Sequence, residues 1–143
     1  MSVQLIRGGE DLARFILARY SGKVVEVGVG RVPEVALLLA PHLKVLATDK
    51  ESRTLGGLVV LEDDIFSPNP DLYQGASLLY SIRPPLEMQL SMGRLALDIG
   101  ADLIIRPLAD EVASIPGFSR TLVNEGEARF YLFTLSSREA PIV

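Results

Sequence analysis

Short apolar runs rich in β-branched residues recur along the chain and alternate with segments of helical character. The runs read KVVEVG, KVLATD, GGLVVLEDD, GASLLYSI and ADLIIRP. A strand that is apolar along its whole length must be covered on both faces, as parallel strands joined by helices are. Because such crossovers are right-handed, the alternation predicts an α/β fold with a doubly wound, mostly parallel, Rossmann-like sheet.

The segments between and after these runs complete the predicted fold. EDLARFILARYSG has amphipathic spacing, VPEVALLLA is apolar nearly all round, and PPLEMQLSMGRLALDIG has proline at its start and Gly100 at its end, so each predicts a helix. SRTLVNEGEARFYLFTL holds two β-rich runs around a turn and predicts a C-terminal antiparallel hairpin. Its aromatics Phe130, Tyr131 and Phe133 are interpreted as core residues, and a homodimer surface along the edge strand is the alternative.

Composition excludes several kinds of chemistry. The 143 residues fit one domain, 1–143. The absence of cysteine excludes disulfides, thiolate metal ligands and a cysteine nucleophile, and a single histidine leaves little material for a zinc site, so no metal is expected. No apolar run reaches the ~20 residues of a membrane helix, which favours a cytoplasmic protein. A net charge of -4 gives no sign of general nucleic-acid affinity.

The first apolar run ends in a glycine turn that opens the next helix. Glu26, Gly28 and Gly30 lie there, and glycines let a ligand approach the backbone. Asp49 ends the second run about 20 residues further on, where this fold places an acid that binds ribose hydroxyls. A strand, a glycine turn, a helix and a spaced acid together favour a nucleotide-like cofactor over a plain tight turn.

The identity of that cofactor depends on Pro33. The dinucleotide fingerprint needs a third glycine at this place and free N–H groups at the helix start to meet a pyrophosphate. Proline removes one of those donors. S-adenosylmethionine carries no phosphate, and an acid such as Glu26 is expected early in its turn, so S-adenosylmethionine is favoured over NAD.

Three motifs resemble those of class I S-adenosylmethionine-dependent methyltransferases: VVEVGVG, ATDK and LEDDI. The resemblance covers residues 23–106 and implies the strand order 3-2-1-4-5 followed by the hairpin. It further implies a role for each matched residue: Glu26, Gly28 and Gly30 at the methionine end, Asp49 at the ribose, and Asp64 with Ile65 beside the adenine. More closely, the chain is similar to a small archaeal family of uncharacterised Rossmann-like proteins with Arg-Pro-Pro after the fourth strand.

The stretch YSIRPPLE departs from the pattern of amino methyltransferases, which place Asn or Asp before two prolines to accept a hydrogen bond from the target amine. Arg83 occupies that position here, and a guanidinium has only donors. Base or glutamine amino-methylation is therefore disfavoured. Pro84 stiffens the turn and is a candidate substrate-binding residue beside Arg83, and Tyr80 at the end of the same strand is a candidate for positioning a ligand.

Three arginines follow neighbouring strands of the expected sheet: Arg31 the first, Arg83 the fourth and Arg106 the fifth. Since ligands bind at the carboxyl ends of such strands, these arginines predict a polarised cleft with Asp49, Asp63 and Asp64 on its other side. Arginine favours carboxylate and phosphate, so the sequence predicts an anionic second ligand, either a metabolite or an RNA segment. Pairing of these arginines with Asp49, Asp63, Asp64 or Asp110 is the structural alternative.

The function predicted is therefore an S-adenosylmethionine-binding, methyltransferase-like protein with an unknown acceptor and no assigned catalytic residue. Catalysis would come mainly from holding donor and acceptor in line. Two alternatives stay open. One is a non-catalytic regulatory module that binds the nucleotide or S-adenosylmethionine, which the short chain and the altered fourth motif favour. The other is an NAD-binding Rossmann protein, which Pro33 disfavours.

Overall fold

The computed structural model describes residues 6–136. Within this range it contains three α-helices, a 3₁₀ turn at Pro70–Leu72 and one eight-stranded sheet. The helices are α1 (Gly9–Arg19), α2 (Glu34–Leu39) and α3 (Leu86–Ile99). The strands are β1 (Lys23–Val27), β2 (Lys44–Asp49), β3 (Arg53–Leu55), β4 (Leu58–Glu62), β5 (Ala76–Ile82), β6 (Asp102–Arg106), β7 (Phe118–Glu125) and β8 (Ala128–Leu135).

The strand order across the sheet is β3-β4-β2-β1-β5-β6-β8-β7. The five central strands run parallel, and β8 pairs antiparallel with both β6 and β7. β4, β5 and β6 are the third, fourth and fifth strands of the sequence prediction. The doubly wound sheet of order 3-2-1-4-5 with a closing antiparallel hairpin is therefore confirmed.

One strand was not predicted. Arg53–Leu55 forms β3, which pairs antiparallel with β4 and makes the outer edge of the sheet. Gly56 and Gly57, which the sequence prediction placed inside the third strand, form the two-residue turn between them, with φ of 55° and 91°. Positive φ at both central residues is the geometry of a type I′ hairpin turn, for which Gly-Gly is a known signal. The third predicted strand is corrected to begin at Leu58.

Helices cover both faces of the sheet, as parallel strands require. On one face α1 and α2 bury residues such as Ile16 and Leu39 against Val24, Leu78 and Ile104 of the strands. On the other face α3 contributes Met92, Leu95 and Ala96, which pack on Val25, Leu79 and Leu103. The hairpin residues Phe130 and Phe133 are fully buried, which confirms them as core, whereas Tyr131 is half-buried.

The topology fixes where a ligand can reach the strand ends. β1 lies between β2 and β5, so the chain leaves β1 towards one edge of the sheet and β5 towards the other. This reversal opens a crevice at the carboxyl ends of the strands. The turn after β1, the ends of β2 and β4, and the turn after β5 therefore converge. Within residues 6–136, no helix has both the length and the apolar composition needed to cross a membrane.

Candidate functional site

A cavity of about 270 Å³ opens at the carboxyl ends of β1, β2, β4 and β5. Its volume is just below the roughly 300–1,000 Å³ typical of small-molecule sites. Three of its walls are the glycine turn, the acidic segment after β4 and the Arg-Pro-Pro turn after β5. The lining residues include Gly28, Thr48, Asp49, Asp63, Asp64, Ile65, Phe66, Ser81, Arg83, Pro84 and Met88.

The glycine turn is held against β2 by its own backbone. The N–H groups of Gly28 and Val29 both donate to the Thr48 carbonyl, at 2.9 and 3.2 Å, and the Gly30 N–H donates to Asp49 Oδ2 at 2.9 Å. Gly28 has a φ of 67°, and a Cβ built there would lie 3.0 Å from Met88 Cε. Any side chain at this position would therefore be strained and would press on Met88. Three consecutive backbone N–H groups therefore donate to atoms of the protein itself, and the open space of the cavity lies beside Gly28.

Asp49 forms an ion pair with Arg53, a residue to which the sequence motifs assign no role. Arg53 Nη2 donates to Asp49 Oδ2 at 2.6 Å and to the Gly30 carbonyl, while the Lys50 N–H donates to Oδ1 at 2.8 Å. Burial would raise the pKa of the Asp49 carboxyl, but the hydrogen bonds from Lys50, Arg53 and Gly30 outweigh it and hold the pKa below its usual value. Asp49 is therefore an ionised acceptor whose Oδ1 has one internal partner.

The acidic segment after β4 has two acids in different surroundings. Asp63 accepts hydrogen bonds from the Tyr73 hydroxyl at 2.6 Å and from the Asn69 N–H at 3.0 Å, so it serves to hold its loop. Asp64 is exposed, and its Oδ1 caps the Phe66 N–H at 2.9 Å. Ile65, 7% exposed, and Phe66, 54% exposed, add apolar surface to the same wall.

The turn after β5 carries backbone strain. Arg83 has a φ of 57°, and a non-glycine residue in this left-handed region costs of the order of 1 kcal/mol. Its N–H donates to the Arg106 carbonyl at 2.7 Å, and its exposed side chain lines the cavity. Gln89, fully buried on α3, donates to the Pro84 carbonyl at 3.1 Å and so fixes the turn from behind. The fold therefore holds Arg83 in place despite the strain.

The three predicted arginines do not share one cleft. Arg83 lines the main cavity with Asp49 and Asp64, Arg31 lines an adjoining depression that shares Asp49 and Lys50 with it, and Arg106 lines a separate cavity beside the hairpin. Within the described range, no salt bridge joins any of the three to a carboxylate. The structure thus brings Gly28, Asp49, Asp64, Ile65, Arg83 and Pro84 together in one cavity, and it places Gly30 and Arg31 in the adjoining depression and Arg106 in a separate cavity.

Glu26 and Tyr80 lie outside the cavity, in the core on the face that α1 and α2 cover. The Tyr80 hydroxyl donates to Glu26 Oε1 at 2.8 Å, and both side chains are fully buried. Oε2 of Glu26 is buried with no hydrogen-bond partner among the described residues. Burial raises the pKa of Glu26 to about 8, against the hydrogen bond from Tyr80 and with a contribution from the charge of Asp49. The roles predicted for these two residues stay predictions.

Across residues 6–136, no group of three or more His, Asp or Glu side chains is arranged to hold a metal ion. The side chains that line the main cavity instead provide the carboxylates of Asp49, Asp63 and Asp64, the hydroxyls of Thr48 and Ser81, the positive charges of Lys50 and Arg83, and apolar groups. This lining fits a small organic molecule that has hydroxyl and amino donors and an apolar ring. The adenosyl group of S-adenosylmethionine has this composition.

The fold matches solved structures of methyltransferases. A structure titled as an S-adenosyl-L-methionine methyl transferase from Silicibacter pomeroyi superposes with a TM-score of 0.62 over 89% of each chain, at 14% sequence identity. At that identity the likeness concerns the fold, and it confirms the methyltransferase-like architecture that the sequence motifs implied.

Sequence relatives are found in archaea. A UPF0146 protein from Archaeoglobus fulgidus is 42% identical over 124 residues, which cover 85% of this chain and 92% of the relative. Another, from Methanothermobacter thermautotrophicus, is 42% identical over 132 residues, or 90% and 96% of the two chains. Residues 10–134 match the model of the family described as Uncharacterised protein family (UPF0146). The chain belongs to this archaeal family, as the Arg-Pro-Pro resemblance implied.

Proposed function

We propose that the chain binds S-adenosylmethionine in the main cavity and transfers its methyl group to an anionic acceptor. The observation that carries this proposal is the convergence of Gly28, Asp49 and Ile65 on one open space at the carboxyl ends of the strands. In this arrangement the ribose hydroxyls donate to Asp49 Oδ1, and the adenine lies against Ile65 and Phe66. The positive charges of the ligand, on its sulfonium and amino groups, suit a wall that carries Asp49, Asp63 and Asp64.

The glycine turn favours this ligand over NAD. A dinucleotide places its pyrophosphate on free backbone N–H groups of the glycine turn. Here the N–H groups of Gly28, Val29 and Gly30 already donate to Thr48 and Asp49. A pyrophosphate would have to break those bonds and would also meet the Asp49 carboxylate. S-adenosylmethionine carries no phosphate and needs neither change.

Arg83 supports the anionic nature of the acceptor. It faces the cavity from the end of β5 with no carboxylate partner among the described residues, and the hydrogen bonds of the turn hold it at this position despite its strained backbone. A guanidinium presents a fork of donors that matches a carboxylate or a phosphate. The side chain binds such a group next to the place where the methyl group is transferred. No catalytic residue is assigned, and transfer relies on holding the methyl donor and the acceptor in line.

Calorimetric titration with S-adenosylmethionine, S-adenosylhomocysteine and NAD tests the cofactor. We expect saturable binding of the first two and at least 100-fold weaker binding of NAD, because the pyrophosphate finds no free donors. Methyl transfer from labelled S-adenosylmethionine to RNA, protein and metabolite fractions then tests the reaction. Binding without transfer to any fraction would favour the non-catalytic module, and tighter binding of NAD would overturn the cofactor assignment.

Replacing Arg83 with glycine tests the acceptor site. Glycine adopts the left-handed conformation without strain, so the fold should gain up to about 1 kcal/mol while the guanidinium is lost. We expect at least tenfold lower methyl transfer, with S-adenosylmethionine affinity within about threefold of wild type. Arg94→Gln, at an exposed position on α3 outside the main cavity, is the matched control for loss of a positive charge. Unchanged transfer in the Arg83 variant would contradict an anion-binding role.

A further inference from the structure

A second cavity lies where the carboxyl end of β6 meets the turn of the β7–β8 hairpin. It has a volume of about 440 Å³ and is separate from the main cavity, with no lining residue in common. Three arginines from three different segments line it: Arg7 before α1, Arg106 at the end of β6 and Arg129 in β8. This concentration of guanidinium groups stands out in a chain of net charge -4.

The acids near this cavity compensate two of the three arginines. Glu127, which also lines the cavity, is 3.6 Å from Arg7, and Asp110, which does not line it, is 3.3 Å from Arg129. Both pairs are exposed to solvent, where such contacts are weak and easily rearranged. Arg106, the third arginine, forms no salt bridge with a carboxylate among the described residues.

Arg106 is half-buried, and within residues 6–136 its guanidinium has neither a carboxylate partner nor a side-chain hydrogen bond. Burying a charge without a partner is costly, and most buried guanidinium groups are paired. The Arg83 N–H donates to the Arg106 carbonyl, so the two residues are neighbours. Repulsion from the positive charge of Arg83 further disfavours the charged form of the Arg106 guanidinium. Burial and this charge both lower the pKa of Arg106. An anion in the cavity would remove this cost.

We propose that this second cavity is a phosphate-binding site with Arg106 as its principal ligand. Arg106 supplies a half-buried fork of N–H donors, and Arg7 and Arg129 close on the remaining oxygens from two sides. Phosphate fits better than a carboxylate, since three guanidinium groups approach from different directions and one carboxylate offers only two oxygens. The site is independent of cofactor binding. Where the proposed methyl transfer holds, the site binds a phosphate of the acceptor one strand away from Arg83.

Two probes distinguish the sources of such a group: inorganic phosphate, and a single-stranded uridine 12-mer that offers only phosphodiesters. Binding is followed by backbone amide shifts in nuclear magnetic resonance and by thermal unfolding, without cofactor and at constant ionic strength set with chloride. We expect phosphate to shift the amides of Ala109, Gly126 and Arg129 and to raise the Tm. Binding of the 12-mer alone, at the same amides, would identify an RNA backbone as the source.

Arg106→Met is expected to weaken phosphate or 12-mer binding at least tenfold. Its Tm without phosphate should equal or exceed that of wild type, since an unpaired half-buried charge is removed, but phosphate should no longer raise it. Arg94→Met is the control for the loss of one positive charge elsewhere. Arg106→Lys, which keeps the charge and loses the fork, gives an intermediate affinity and replaces the methionine variant if that one does not fold.

The proposal is overturned if neither probe binds, or if Arg106→Met and Arg94→Met weaken binding equally. It is also overturned if Arg83→Gly abolishes phosphate binding while Arg106→Met leaves it intact, since the phosphate would then occupy the main cavity. Loss of S-adenosylmethionine binding has no bearing on these readouts, so failure of the proposed function and failure of this site remain distinguishable.

Discussion

The Asp49→Ala variant is expected to bind S-adenosylmethionine about 100-fold more weakly than the wild-type protein. Asp49 is ionised, and a hydrogen bond from a ribose hydroxyl to a carboxylate is worth about 1.5–3 kcal/mol. Since every 1.4 kcal/mol is about tenfold in affinity, that bond alone accounts for about 10- to 100-fold. The substitution also frees the Gly30 N–H, which Asp49 Oδ2 accepts at 2.9 Å, and so loosens the glycine turn beside the ligand. Calorimetric titration measures the change.

Two control variants separate the ribose contact from other effects of removing Asp49. Arg53→Met breaks the 2.6 Å ion pair to Asp49 but leaves the carboxylate in place, so we expect less than fivefold loss of affinity. Glu51→Gln removes an exposed negative charge two residues away and should leave the affinity unchanged, which controls for attraction of a cationic ligand. Equal losses in Arg53→Met and Asp49→Ala would mean that Asp49 acts by holding the turn and not by contacting the ribose.

The architecture could be predicted from the sequence because it depends on periodic patterns. Continuous apolar runs alternating with helices have few solutions other than a covered parallel sheet with right-handed crossovers, and the resemblance to methyltransferase motifs implies the strand order. The strand β3 was missed although Gly56-Gly57 is a hairpin signal. The apolar character of the following strand dominates the pattern, which therefore predicts that both glycines belong to that strand.

The site could be predicted only in part, because strand ends are predictable and side-chain directions are not. Gly28, Asp49 and Asp64 lie together because each follows a neighbouring strand at the same edge. Tyr80 also stands near the end of its strand, yet it points into the core on the other face of the sheet. The position of a residue along a strand does not reveal its face when both faces are apolar, since the alternation that distinguishes them is lacking.

Hydrogen-bond and ion-pair partners that are distant in sequence cannot be predicted from local sequence patterns. Nothing in the local pattern connects Tyr73 with Asp63 and Thr48, and the link arises only because the 3₁₀ turn folds back below the end of β4. The sequence assigns no role to Arg53 for a related reason, because this residue lies in β3, the strand that the apolar pattern does not predict. Arg106 was grouped with Arg83 because their strands are neighbours, but the two side chains line different cavities.

The Glu26→Gln variant is expected to unfold with a different pH dependence from the wild-type protein. In the folded state the pKa of Glu26 is raised to about 8, chiefly by burial, from an ordinary value of 4.5. Its proton is therefore bound more tightly in the folded protein, and the stability it confers is complete below about pH 4.5 and lost as the pH rises towards 8. The loss has a slope of up to about 1.4 kcal/mol per pH unit. Between pH 5 and pH 8 this amounts to about 3–4 kcal/mol.

Glutamine is the neutral counterpart of the protonated carboxyl, so the variant lacks this dependence. At pH 5 the two proteins should have similar free energies of unfolding, and at pH 8 the variant should be more stable by about 3 kcal/mol, as measured by urea denaturation. Tyr80→Phe removes the hydrogen bond that Tyr80 donates to the carboxylate and should move the titration of Glu26 to higher pH, which carbon-13 resonance of the carboxyl group follows directly. Parallel stability profiles of wild type and Glu26→Gln would show that Glu26 titrates as an ordinary, solvated acid, contrary to its complete burial between β1 and the helices.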